Sequence, residues 1–354
     1  MDHILFQSDK LKNLVSEIFI KLGATEDEAI SMSDHLVGNN LVGHDSHGVI
    51  RVLAYEQEIK KGNLKLNTYP ETINKTRNTI TKDANFCMGP VAGKIAVEEI
   101  LNMSKDQGVA AVSIRNAHHL GRIGAYTAAL AEKGMIGIAF PNDELNKHVA
   151  PFGGREGRLS TNPISFASPR GKEYPFVVDF ATSAVAEGKI IVARNRNEKL
   201  LDNYIINKNG SYSNVPADYF DGGALLPLGG TVGYKGFALS LIVEILGGIL
   251  SENKKIEEIK NVEETNTGIR QGLFLMAVNI ESFLPLNKIT HLIETFFDDI
   301  KNTPKQKNVE EILIPGELEY RKKKIRLKEG ISIENRTWEE MKSLALKLNV
   351  NPEI

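Results

Sequence analysis

Residues 109–140, VAAVSIRNAHHLGRIGAYTAALAEKGMIGIAF, read in turn as strand, loop, helix and strand. The apolar run 109–114 gives way to a polar loop with two histidines. The small-residue segment 125–132 has helical character, and a second apolar run follows at 135–140. Upstream, residues 90–105 look helical. Downstream, 164–167 and 176–179 are strand candidates, 184–194 a helix rich in small residues, and 273–278 a further strand. Helix-like and strand-like segments in alternation predict an α/β layer architecture. Residues 195–230 are polar, Asn- and Gly-rich, and read as loop or short strand. The flanks of this unit are helical. Thr25 and Glu28 form a capping box ahead of Ile30, Met32, Leu36 and Val37, so the first 60 residues open as helices. Residues 288–301 and 338–348 read as amphipathic helices, the second opened by a capping box of Thr337 and Glu340.

Composition narrows the function classes. The chain has 354 residues, 42% hydrophobic and 25% charged, enough for two ordinary domains or one large α/β unit with a smaller appendage. A formal net charge of -2 offers no global positive field for nucleic acid or an acidic membrane surface. The basic run Arg321, Lys322, Lys323, Lys324, Arg326 and Lys328 stands beside Glu317 and Glu319 and reads as a solvated helix face. Cys87 is the single cysteine, which excludes an intrachain disulfide and fits a reducing compartment. The N-terminus lacks the pattern of a signal peptide, so the cytoplasm is expected. The most apolar stretch, 236–250, carries Glu244 and is shorter than the roughly 20 residues of a bilayer span; a buried helix is expected there.

No G-x-G-x-x-G, P-loop, H-E-x-x-H or G-x-S-x-G pattern occurs. What is present is concentrated at two histidine pairs. In Gly43-His44-Asp45-Ser46-His47-Gly48-Val49-Ile50-Arg51, a helix entered near Ser46 would put His47 and Arg51 on one face. A guanidinium holds a carboxylate in two parallel hydrogen bonds, and a neighbouring imidazole exchanges a proton with a group alpha to it, which suits a 2-hydroxy or 2-keto acid. The same spacing also suits a surface helix start whose His and Arg only cap or solvate. The second pair, His118 and His119, follows the strand candidate 109–114, where ligands collect in open α/β sheets. The helix beyond it would favour a neutral His119, and a loop histidine satisfied by backbone groups is the alternative. His44, His47, His118 and His119 with Asp45 lack the spacing of an established metal site, and no metal is expected. Asp179 at a strand end suits a histidine-orienting or ribose-accepting role. Thr182 and Ser183 offer hydroxyl donors at a helix start, and Lys235 a positive charge after a Gly-rich turn; these exits could hold a pyrophosphate or only turn and cap the chain.

Taken in order, these segments resemble the type-2 malate/L-lactate dehydrogenase family, which includes sulfolactate and ureidoglycolate dehydrogenases and diketogulonate reductase. The resemblance is carried by Ser46-His47-Gly48-Val49 with Arg51, Asn116 with His119 and Gly121, Gly134-Met135-Ile136-Gly137 with Asn142, and Ala150-Pro151-Phe152-Gly153-Gly154. It continues through Thr161-Asn162-Pro163, Asp179 with Ala181-Thr182-Ser183, Gly188-Lys189, Gly233-Tyr234-Lys235-Gly236 and Pro315-Gly316-Glu317.

The resemblance implies a non-Rossmann nicotinamide-binding α/β domain over residues 76–285 and a helical domain built from 1–75 and 286–354, usually in a homodimer. It implies hydride transfer between NAD or NADP and a small 2-hydroxy or 2-keto acid of the malate or lactate type. By position, His47 and His119 are the acid/base candidates, with Asp179 supporting the histidine or the cofactor. Ser46 and Arg51, with Thr161 and Asn162, are the substrate-side residues. Thr182, Ser183, Lys235, Gly316 and Glu317 are the cofactor-side ones. A cyclic imino-acid reductase and a non-catalytic binding protein on the same fold are the alternative readings. Leu120 stands where the family usually has an aromatic residue, 195–228 is shorter and more polar than usual, and Ser160 replaces a glycine.

Overall fold

A computed structural model describes residues 3–253 and 269–353; positions 254–268, within the expected α/β segment, lie outside the described residues. The chain opens with a strand, β1 (His3–Phe6), before helices α1 (Ser8–Lys21), α2 (Glu26–Leu41) and α3 (Val52–Lys60). The expected capping box is present at α2: the Thr25 side chain accepts the Glu28 N–H, and Glu28 accepts the Thr25 N–H. Glu28 also accepts the N–H groups of Asn67 and Thr68, which secures the loop leaving the helical layer.

The central sheet holds β2 (Glu71–Lys75), β3 (Thr79–Asp83), β4 (Val109–Ala117), β5 (Met135–Asp143), β6 (Ile164–Ser168), β7 (Phe176–Phe180) and β11 (Gln271–Asn279). Its order is β2-β3-β4-β11-β5-β6-β7. Only β3 and β4 pair in parallel, joined by the crossover helix α4 (Gly89–Gln107). The late strand β11 runs antiparallel to both β4 and β5 and separates them. This mixed sheet differs from the parallel Rossmann order and accounts for the missing Gly-rich fingerprint. Helix α5 (Gly124–Ala131) leads from β4 toward β5. One core packs between α4, α5 and the sheet through Ile100, Val112, Ile114, Leu120, Leu130 and Leu275. Beyond β7 come α6 (Glu187–Asn195), the short strands β8 (Ile205–Ile206), β9 (Tyr212–Ser213) and β10 (Ala224–Leu225), and α7 (Pro216–Phe220), with their own small core. Ser160 does not adopt a positive φ, so its substitution for glycine is unstrained.

Helix α8 (Tyr234–Val243) continues into a π-helical turn, Glu244–Ile249. The expectation of a buried apolar helix fails here. Ser240, Glu244, Gly247 and Gly248 are buried, whereas Leu241, Ile242, Ile245, Ile249 and Leu250 are 40% to 55% exposed. The inward face has to be small because it lies on backbone: a Cβ at Gly247 would meet the Phe140 carbonyl oxygen at 2.3 Å. Val243 still turns inward, whereas Leu241, Ile242, Ile245, Ile249 and Leu250 point outward.

Past β11, α9 (Leu286–Lys301) packs on the sheet edge through Phe176 and Phe297, and α10 (Glu317–Glu329) crosses to α2. The basic run lies on α10, where Arg326 pairs with Asp45, Arg321 with Glu311 and Lys324 with Glu173. Strand β12 (Ile331–Glu334) then pairs antiparallel with β1, and α11 (Asn335–Lys347) completes the helical layer. Its core draws on both flanks, with Leu14, Phe19, Met32, Leu36 and Tyr55 against Ile331, Trp338, Met341 and Leu344. The second expected capping box is absent. β12 runs straight into α11, so Thr337 lies inside the first turn and is buried.

Candidate active site

The site forms where the helical layer meets the end of β4. Asn116, the penultimate residue of that strand, stands at φ 54°, a left-handed angle that Asn tolerates better than most residues. Its side-chain amide donates to both carboxylate oxygens of Asp83, at 3.1 and 3.0 Å. The turn delivers His118 inward and His119 toward α3. Gly89 is the close-approach residue beneath it, since a Cβ there would lie 2.1 Å from the His119 carbonyl oxygen.

Opposite, the 43–51 segment is not the continuous helix expected from its spacing. Two single 3-10 turns, Asp45–His47 and Val49–Arg51, are separated by Gly48 in extended backbone, φ -91° and ψ -154°. Gly48 passes against Asn40, whose side-chain oxygen accepts the Val49 N–H at 2.9 Å. Even so, His47 and Arg51 act on one another. The Arg51 Nε donates to the Ser46 carbonyl at 2.9 Å, which holds the guanidinium beside the histidine turn.

These two segments bring His47 and His119 together, with ring centroids 5.7 Å apart and planes inclined by 16°. The Nδ1 of His47 lies 3.1 Å from Ser46 Oγ, and the Nδ1 of His119 lies 2.9 Å from the Tyr55 hydroxyl. Each ring thus has its Nδ1 engaged, leaving Nε2 for proton exchange. Burial, with the neighbouring Arg51 and His44, lowers the His47 pKa from 6.5 to about 4. His119 is held well below 6.5, first by burial and then by Arg51 and His47. Its neutrality comes from burial rather than the following helix, because α5 begins only at Gly124. His118 lies behind the pair, also buried, with Glu58 3.8 Å away and its pKa lowered by burial to about 4.

A cavity of about 330 Å³ opens at His44, three residues before His47, and is lined by His44, Arg122, Asp179, Gly316, Leu318 and Glu319 among others; neither histidine of the stacked pair lines it. Asp179 is half-buried on β7 and accepts the Gly124 N–H at 2.7 Å. Burial raises its pKa, opposed by Arg122. Asp179 therefore faces Arg122 and the start of α5 and orients neither histidine of the stacked pair. Gly316, at φ 97°, forms part of the cavity wall.

The other expected site residues are placed differently. Thr182 is buried and its hydroxyl donates to the Thr161 and Asn162 carbonyls, while Ser183 Oγ donates to the Val185 carbonyl. Both hydroxyls donate within the fold. Asn162 is buried at φ 38° and donates to Ser240 Oγ and Glu244, tying β6 to the π-helical turn. Glu317 turns away from the cavity to Lys301 and Arg170. Lys235 is exposed at the start of α8.

Three residues that the motif reading passed over belong to the site. Tyr55 holds His119. His35 accepts the Arg122 N–H at 3.1 Å through Nε2, and burial lowers its pKa to about 3. Arg122, 9% exposed, lines the cavity. Tyr55 follows Arg51 by four residues and Arg122 follows His119 by three, offsets that could have flagged both. Among the described residues, no three His, Cys, Asp or Glu side chains are grouped to hold a metal ion.

The family model described as malate/L-lactate dehydrogenase matches residues 6–342. A malate dehydrogenase of Pyrococcus abyssi is 36% identical, over 99% of this chain and 96% of that protein. An L-sulfolactate dehydrogenase of Methanocaldococcus jannaschii is 33% identical, over 99% of both. The crystal structure of a malate dehydrogenase from Entamoeba histolytica superposes with a TM-score of 0.94 at 29% identity, over 100% of both chains.

Proposed function

Since the chain belongs to the malate/L-lactate dehydrogenase family, we propose that it interconverts a small 2-hydroxy acid and its 2-keto partner, with NAD or NADP as the hydride carrier. The observation that carries this reading is the stacked His47 and His119 beside Arg51. A neutral imidazole can take the hydroxyl proton in oxidation and, once protonated, return it in reduction. Arg51, pinned through its Nε, keeps its terminal nitrogens to grip the substrate carboxylate, and the Ser46 hydroxyl is a further donor. That grip sets the 2-carbon within reach of a histidine Nε2.

The cavity fits the reactive half of a nicotinamide dinucleotide. Asp179 supplies an acceptor, Gly316 a wall without a side chain, and the volume of about 330 Å³ lies within the usual range for ligand sites. The bound dinucleotide supplies or takes up the hydride. Thr182 and Ser183 shape the backbone at the end of β7, and Lys235 lies exposed for the phosphates. We divide the chain functionally into a nicotinamide-binding domain, 76–285, and a helical domain from 1–75 and 286–354. Among the described residues, no helix is long and apolar enough to cross a membrane. A cytoplasmic setting agrees with the lone, buried Cys87. A homodimer agrees with the outward apolar face of α8.

The test is absorbance of the reduced nicotinamide with NADH and NADPH across pyruvate, oxaloacetate, sulfopyruvate and a cyclic imine, with malate and lactate in the oxidative direction. Turnover of a keto or hydroxy acid supports the proposal. Turnover of the imine alone, or of nothing, overturns it.

A further inference from the structure

The cavity contains a cation for which the proton-transfer pair has no use. Arg122 is 9% exposed, and its Nε is buried without a hydrogen-bond partner. Its nearest carboxylate, Asp179, stands 3.8 Å from that Nε and is occupied by the Gly124 N–H. The other carboxylate acting on it, Glu319, is engaged by His44 at 3.4 Å. A buried guanidinium left so incompletely paired is costly unless something else completes it.

The residue is also held in place from behind. Its N–H is fixed by His35, and the preceding Gly121, at φ 73°, leaves no room for a side chain: a Cβ there would meet His35 Nε2 at 2.1 Å. Arg51 and, less strongly, Arg122 disfavour the charged form of His47, one from the turn that leads into α3 and one from the loop after β4. Arg51 suffices for the carboxylate beside the reacting carbon. A second fixed cation near the same imidazole is matched by a second anionic group on the substrate.

We propose that Arg122 binds the distal anionic group of the substrate and makes the site selective for doubly charged 2-hydroxy acids, dicarboxylates or sulfo-carboxylates, over monocarboxylates. This rests on the hydroxy-acid reading above and adds to it the charge of the substrate and the residue that selects it. Arg122 is a substrate-binding residue in this scheme. Removing it strips one ionic hydrogen-bond donor from diacids and leaves monoacids with Arg51.

The experiment compares wild type with Arg122→Gln and Arg122→Lys, using malate and lactate in both steady-state kinetics and calorimetric titration of the dinucleotide-loaded enzyme. In wild type, malate should have the higher kcat/KM. Arg122→Gln should lower kcat/KM for malate by about 100-fold while lactate changes little, the size expected when a charged hydrogen bond of about 3 kcal/mol is lost. Arg122→Lys should recover part of the malate activity. Dinucleotide affinity, measured by fluorescence titration, should change less than malate affinity, even though Arg122 lines the cavity given to the nicotinamide half. An equal fall for both acids overturns the proposal, as does a loss confined to dinucleotide affinity, which would put Arg122 on the cofactor. If no hydroxy acid turns over, the family-level reaction is at fault, and calorimetry still decides. Malate binding that weakens in Arg122→Gln sustains the anion site; malate binding that is absent in wild type or unchanged in the variant ends it.

Discussion

His47 stacks on His119 across the junction of the helical layer and the sheet, one ring braced by Ser46 and the other by Tyr55. His47 comes from the helical layer and His119 from the loop after β4, so the stacked pair exists only when the two are packed. His47→Gln and His119→Gln should each lower kcat by about 10²- to 10⁴-fold, the usual contribution of a positioned acid/base. The double variant should be little worse than the poorer single one, because residues acting as a unit are not additive. Steady-state kinetics and dinucleotide titration check this, with binding unchanged throughout. Wild-type turnover in either single variant would remove that residue from the chemistry.

Arg51 keeps its geometry through its Nε bond to the Ser46 carbonyl. Lysine preserves the charge but neither that bond nor the planar fork. Arg51→Lys should therefore cost about 100-fold in kcat/KM for every hydroxy acid, corresponding to about 3 kcal/mol. A variant with unchanged KM and kcat would show that the carboxylate is held elsewhere.

His35, His47 and His118 are all neutral in the folded protein near pH 7, because burial lowers their pKa values from 6.5 to about 3, 4 and 4. The unfolded chain takes up these protons first as the pH falls below 6.5, so the stabilisation is complete above that value and is lost through the window down to about 4. Each histidine contributes a slope on the order of 1 kcal/mol per pH unit within it. Thermal melts between pH 7.5 and 4.5 should show Tm falling steadily, and His118→Gln should flatten the slope. A Tm independent of pH over that interval would contradict the burial of these rings.

Glu28 accepts hydrogen bonds from the backbone of Thr25, Asn67 and Thr68. Glu28→Gln replaces one accepting oxygen with a donor that faces an N–H, at a cost of about 2 kcal/mol. Thr25→Ala removes only the cap, about 1 kcal/mol. Urea midpoints should rank wild type above Thr25→Ala and Thr25→Ala above Glu28→Gln; the reverse ranking would mean the loop bonds contribute nothing.

Ile245 and Ile249 are 55% and 53% exposed on the outer face of the α8 extension. A charge placed there should break a self-association that uses this face. For the homodimer proposed above, sedimentation equilibrium of Ile245→Lys should give half the mass of wild type with the circular dichroism unchanged. An unaltered mass would move the interface elsewhere.

The sequence made the α/β middle legible because short apolar runs, helical periods and turn residues alternate over 90–140 without ambiguity. His47, Arg51 and His119 stood out through the family resemblance; their spacing alone suited a capped helix start and a loop histidine equally well, and the structure adds that the two rings stack. Arg122 was not, since a lone arginine in a loop becomes informative only when its burial and missing partner are seen. The outward face of α8 was misread because hydropathy reports what a helix would bury, and not which side meets the sheet. Thr182 and Asn162 carried motif identity, yet much of their hydrogen-bonding capacity goes to joining β6, β7 and the π-helical turn.

The pairing of β1 with β12 reaches beyond architecture. Phe6 rests on Trp338, with ring centroids 4.5 Å apart, so the core beneath His47 and Arg51 joins side chains that are far apart in sequence. During synthesis the first three helices emerge long before their partners exist. They must wait, with Leu14, Phe19 and Met32 uncovered, until residues 331–350 leave the ribosome, while the sheet has only to await β11. The core beneath His47 and Arg51 thus becomes permanent later than the sheet does, and the nascent chain is exposed to aggregation in the interval before it does.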